Sequence, residues 1–178
     1  LGRKAIGYGC TSGSTMIGAL RVSELIQGHH PTGPTSNPFT AAQAALKALD
    51  VKRLGLVTPY RPDVTELMQA RFEEVGIIIQ SVGSFYQEDD RVVGRITPDA
   101  ILDAALAVGR HHLVDGVFIS CTSLRAAGII GHAEAALGKP VTASNHALAW
   151  HLLRLAGIRD EVTALGRLFH AQFSNRET

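Results

Sequence analysis

The sequence predicts an α/β fold in which parallel sheets carry helices on both faces. Short apolar or β-branched runs alternate with segments of helical period along the whole chain. Strands that alternate with crossover helices imply parallel pairing. A second observation divides the fold in two. The trio Cys-Thr-Ser occurs at Cys10, Thr11 and Ser12 and again at Cys121, Thr122 and Ser123, and these are the chain's 2 cysteines. That internal echo points to two related halves.

The elements follow in order. Residues 5–10, "AIGYGC", read as a short buried strand, and 14–28 as a helix in which Met16, Ile17, Leu20 and Ile26 keep helical spacing. Residues 29–38 form a Pro/Gly/Ser/Asn loop, after which Thr40 serves as N-cap of an Ala/Leu-rich helix. "RLGLVTPY" is a strand, followed by a helix from Pro62 to Val75 and by the β-branched strand "GIIIQSVGSF". Thr97-Pro98-Asp99 starts a helix with proline at its first position. "DGVFISC" is a strand, and "SLRAAGIIGHAEAALG" a helix closed by Gly138. "KPVTAS" and "NHALAWHLLRLAG" are the last strand and helix, ending at Gly157. In such sheets ligands bind beyond the carboxyl ends of the strands, where Cys10, Tyr60 and Cys121 stand.

Bulk properties narrow the function. A chain of 178 residues with 46% hydrophobic and 19% charged residues suits one α/β domain or two small lobes. Net charge +1 gives no electrostatic basis for nucleic acid or an anionic membrane as partner. No apolar run is long enough to span a bilayer, and no signal-peptide pattern is present. Two cysteines are too few for a disulfide scaffold and point to a reducing, cytoplasmic compartment.

Both cysteines precede hydroxyl residues at the start of an expected helix. A helix start presents unpaired N–H groups and a positive dipole end, which favour a thiolate. The same amides and hydroxyls can hold a substrate carboxylate or an enolate-like oxyanion. Two such units facing each other place one sulfur on each face of a carbon acid. The plainer readings are a packed cysteine, a Cys10–Cys121 disulfide, and Tyr60 as a half-buried aromatic. The eight histidines show neither HExxH nor a Cys/His ligand spacing, so no metal is expected, and they read as surface or capping residues. The acidic "QEDD" before Arg91 reads as a solvated loop of the kind that can lie over a site. No GxGxxG or P-loop supports a nucleotide.

"YGCTSGS", "LVTPY", "VFISCTSLRA" and "GKPVTASNHALAWHLLRLAG" together resemble the aspartate/glutamate racemase superfamily. Within it they look closest to the branch of maleate cis-trans isomerases, arylmalonate decarboxylases and ectoine-utilisation proteins, most of all the last. The resemblance implies a cofactor-independent enzyme of two pseudo-symmetric three-layer αβα lobes with the site between them. It implies Cys10 and Cys121 as the paired catalytic cysteines. It also implies Thr11, Ser12, Tyr60 and the backbone at Thr122 and Ser123 as carboxylate-binding positions. The lobes would divide the chain at 1–50, 51–144 and 145–178, the last stretch packing back on the first lobe.

Three departures are expected to matter. Arylmalonate decarboxylases keep only the second-lobe cysteine, so Cys10 argues against decarboxylation. Maleate isomerases carry both cysteines, use the first as a nucleophile, and lack Thr-Ser after each. The family's first strand and "VPSSN"-type loop have no counterpart here. Because Leu1 is not a natural start, that segment is expected to belong to the protein but outside this sequence.

The reading is therefore a racemase or isomerase of a small carboxylate or amino-acid-like substrate, in which the two cysteines exchange protons at the carbon next to the carboxylate, in ectoine breakdown. A maleate-type isomerase with Cys10 as nucleophile and a non-catalytic carboxylate-binding protein are the alternatives. The family forms dimers or larger assemblies, so a homo-oligomer fits, although no stretch identifies an interface.

Overall fold

The computed structural model describes residues 5–173. The ends of the expected first and last segments, 1–4 and 174–178, lie outside the described residues. The architecture is mixed α/β, with two parallel sheets flanked by helices. A two-stranded sheet pairs β1 (Ile6–Gly7) with β2 (Thr35–Ser36), a strand inside the segment expected to be only loop. The larger sheet contains β3 (Arg53–Thr58), β4 (Ile78–Ser84), β5 (Gly116–Ile119) and β6 (Val141–Ala143) in the order β4-β3-β5-β6.

That order fixes where a site can form. The chain leaves β3 for β4 on one side, then returns across β3 to β5 on the other. The crossovers therefore diverge between β3 and β5, and a crevice opens at their carboxyl ends. Tyr60 and Cys121 follow those two ends.

Helix α4 (Pro62–Glu74) makes the first crossover, and α6 (Pro98–Gly109) makes the second, packing across β3, β4 and β5. Thr97 caps α6 by accepting from the Ala100 amide at 3.3 Å, as its sequence predicts. Phe72 of α4 stands at the centre of the core, 5.0 Å from the Phe39 ring and 5.7 Å from that of Phe118. A second core joins α3 (Pro38–Ala48) to α8 (Ser144–Leu155) through Ala41, Ala45, Ala147 and Trp150.

Three expectations are corrected. The helix expected over 14–28 is two, α1 (Thr11–Ile17) and α2 (Ala19–His29), separated at Gly18 with φ +94°. Few side chains other than hydrogen tolerate that dihedral. Met16, Ile17 and Leu20 are consequently exposed rather than in the core. The cap of α3 is Asn37, whose Oδ1 accepts from the Phe39 and Thr40 amides at 3.1 and 3.0 Å, not Thr40. With proline at the first helical position, the cap lies three residues upstream of the expected one.

The segment after Cys121 is the third. It turns through residues 122–126 before a 3-10 turn at Ala127–Ile129 and helix α7 (Ile130–Leu137). Thr122 and Ser123 therefore do not stand at a helix start. The closing glycines Gly138 and Gly157 adopt φ +68° and +77° at their helix ends, as expected. The acidic stretch is not all loop, since Asp89 caps the short α5 (Asp90–Val93). Among the described residues no helix is long and apolar enough to cross a membrane.

Candidate active site

Cys10 sits at the N-cap of α1 in extended backbone. Its Sγ accepts from the Gly13 amide at 3.3 Å and lies 3.6 Å from Ser12 Oγ. A sulfur in the place normally taken by Ser or Asn receives the N–H that the helix start leaves unpaired. Thr11, the next residue, is buried.

Cys121 follows β5 and has φ +98°, a dihedral that disfavours every residue with a Cβ. The surrounding structure holds it there. Its N–H donates to Ser144 Oγ at 3.0 Å, and Asn145 Nδ2 donates to the Thr122 and Leu124 carbonyls at 3.4 and 3.3 Å. The first turn of α8 thus clamps the cysteine loop from behind. Sequence reasoning missed Ser144 and Asn145 as positioning residues, although both lie within the motif "GKPVTASNHALAWHLLRLAG".

Tyr60 lies between the two cysteine loops. Its hydroxyl stands beside Thr11, Ser120 and Cys121. Burial, with a smaller contribution from Cys121, raises the Tyr60 phenol well above its ordinary range, so it remains a neutral donor. Thr11 Oγ1, Tyr60 Oη and Ser120 Oγ are buried, and no hydrogen bond of good geometry reaches any of them. Buried hydroxyls are normally paired, and three orphans together call for an explanation. Ser120 carried no signal beyond its place next to Cys121.

The loops also touch directly. Thr122 Oγ1 donates to the Gly9 carbonyl at 2.9 Å, so its hydroxyl ties the second cysteine loop to the first. Ser123 lies half-buried in the turn that follows. A cavity of about 250 Å3 opens beside Ser12 and Tyr60, bounded by Arg61, Gln87, Glu88 and Asp90. The acidic loop therefore borders this cavity, with Glu88 paired to Arg61 at 3.0 Å. Neither cysteine lines this cavity or a larger one of about 500 Å3 beside α3.

Both thiols are free rather than bridged. Two histidines expected at the surface are buried. His146 sits between Thr142 Oγ1 at 2.9 Å and the Leu165 carbonyl at 2.8 Å, and His151 Nδ1 is 2.7 Å from Ser36 Oγ. Both lie on the inner face of α8, and their polar partners account for their burial.

Comparison with known proteins fits this arrangement. Arylmalonate decarboxylase of Bordetella bronchiseptica is 30% identical over 125 residues, covering 70% of this chain and 52% of that protein. Maleate isomerase of Nocardia farcinica is 32% identical over 124 residues, covering 69% and 49%. The chain thus spans about half the length of these curated relatives. A solved structure of the Nocardia farcinica maleate cis-trans isomerase, a cysteine-to-serine variant with a covalently bound succinylcysteine intermediate, superposes with a TM-score of 0.87. It is 24% identical and covers 94% of this chain and 71% of that one, a likeness of fold. Residues 2–169 match the sequence pattern of the arylmalonate decarboxylases, and the chain belongs to that family.

Proposed function

We propose that this protein is an isomerase of small carboxylates that uses Cys10 and Cys121 without a cofactor. The observation that carries the reading is the set of three orphan hydroxyls, Thr11, Tyr60 and Ser120, gathered beside Cys121. A carboxylate is acceptor-only and has room for several donors, so it complements such a cluster. With the substrate carboxylate seated there, the adjacent carbon lies next to Cys121, and Cys10 approaches from the loop joined to it through Thr122 and Gly9.

In the finer form of the proposal, one sulfur as thiolate removes the proton next to the carboxylate. The electron pair moves into an enolate-like dianion that the hydroxyls stabilise. The other sulfur, as thiol, delivers a proton to the opposite face, giving a racemase that acts in ectoine breakdown. Acid/base transfer contributes on the order of 10²–10⁴-fold, so the oxyanion cradle supplies a large share of the remainder. The lobe division at 1–50, 51–144 and 145–178 belongs to this proposal, since it places one cysteine in each of the first two segments. A homo-oligomer is also part of it.

Cys10→Ser and Cys121→Ser, tested singly on a panel of small carboxylates, examine the mechanism. Solvent deuterium exchange at the carbon next to the carboxylate should fall by about 10²-fold or more in each. Unchanged exchange in both would remove the two-thiol mechanism.

A second reading has its own support. The Nocardia farcinica relative is a maleate isomerase, and one of its solved structures contains succinylcysteine. Here Cys10, as thiolate, would add to an alkene carbon while the π pair moves into the adjacent carboxylate. The single bond would rotate and the returning pair would expel the thiolate, whereas uptake of a proton at the carbon next to that carboxylate would leave a succinyl adduct. Mass spectrometry of Cys121→Ser with maleate separates the two. A succinyl adduct on Cys10 supports addition, and its absence together with carbon-bound deuterium supports proton transfer.

A further inference from the structure

We propose that Tyr8 is a positioning residue for Cys10, its phenol serving as the donor that fixes the sulfur and stabilises negative charge on it. This rests on reading Cys10 as a reacting sulfur.

The placement follows from the backbone. Tyr8 N–H donates to the Ser36 carbonyl at 2.9 Å, which extends the β1–β2 pairing to Tyr8. Cys10 is still extended, with φ −127° and ψ 118°. Side chains two apart on extended chain share a side, so Tyr8 and Cys10 project together. They meet at Gly13 in the first turn of α1. A Cβ on Gly13 would collide with Tyr8 Oη and lie 3.2 Å from both Tyr8 Cζ and Cys10 Sγ. Glycine at 13 is what lets phenol and sulfur converge there.

The Gly13 amide donates to the sulfur, and the Ser12 hydroxyl stands 3.6 Å from it. The Tyr8 phenol reaches the same place beside Gly13. Burial and then the neighbouring Cys10 raise the Tyr8 phenol above its ordinary value, so toward a thiolate it acts as a donor. Beside Cys121 stands the Tyr60 hydroxyl, one of the orphans read above as substrate-facing. Cys10, with donors gathered at its sulfur, takes the role of base or nucleophile.

The test is the pH dependence of iodoacetamide alkylation in the full chain, with each thiol followed separately by peptide mass mapping. Tyr8→Phe should move the Cys10 profile upward by about one pH unit and slow its neutral-pH alkylation on the order of tenfold. The Cys121 profile should stay in place. Gly13→Ala, which keeps Tyr8 but forces it away from the sulfur, should move the Cys10 profile in the same direction. A Cys10 profile unchanged in both variants would overturn the proposal, and so would an equal shift at Cys121. Because the readout is the reactivity of a thiol rather than turnover, it is independent of the substrate assigned above.

Discussion

Tyr60 is buried at the end of β3, yet its hydroxyl has no partner of good geometry. A polar group in that state carries a desolvation cost with no compensating bond. Removing it should therefore not harm the fold. Tyr60→Phe is expected to unfold within about 1 kcal/mol of the parent in urea, on either side. Carboxylate binding should weaken by about ten- to a hundredfold, because a hydrogen bond to a charged acceptor is lost. A variant that binds carboxylates unchanged would show that the orphan hydroxyls serve something else. Cys121 shows the same trade at the backbone. Its φ of +98° is held by Ser144 and Asn145, and strained dihedrals of this kind persist where surrounding bonds over-determine them.

At the scale of elements, α3 begins where Asn37 can use its whole side chain. Its Oδ1 accepts two helix amides, while Nδ2 donates to Thr40 Oγ1 at 2.9 Å and to the Ala19 carbonyl at 3.3 Å. One residue thus caps α3 and anchors the start of α2. Asn37→Ala should cost about 1–3 kcal/mol by denaturant unfolding, the sum of a lost cap and buried partners left unpaired. Thr40→Ala should cost clearly less. If the two were equal, the cap would have to be placed elsewhere. The break at Gly18 has a related consequence, since α1 and α2 take separate directions and the apolar side chains at their junction remain exposed.

The whole molecule is tied together through α8. It packs on α3 with Trp150 fully buried, clamps the Cys121 loop with its first turn, and holds the last 3-10 turns through His146 and Arg154. Burial lowers the His146 pKa below its ordinary 6.5, with the Leu165 carbonyl opposing. A histidine held neutral in the folded state binds more protons when unfolded. Its contribution to stability is therefore present above about 6.5 and is lost as pH falls from there toward the depressed folded value. Thermal unfolding should show Tm declining over that window, and His146→Gln should flatten the decline. A parent Tm that stays level through this range would show that the site accommodates the proton.

The alternation of apolar runs and helical periods sufficed for an α/β fold with parallel sheets, because burial on both faces leaves so strong a mark on composition. Local chemistry likewise announced the Thr97 cap and the glycines that end α7 and α8. The repeated Cys-Thr-Ser trio pointed to the cysteine loops. Other features depend on residues far apart in the chain and leave no local trace. β2 exists only because β1 lies beside it, and Asn37 is a better cap than Thr40 only with Ala19 within reach. The turn after Cys121 is fixed from α8, and Ser120 matters only because Tyr60 and Thr11 arrive next to it. Sequence alone thus determined the alternation of strands and helices and where the cysteines stand in it, since propensity and periodicity act over a few residues. Tertiary structure decided which of those side chains meet, because the crevice arises from strand order and the buried hydroxyls acquire meaning only in each other's company.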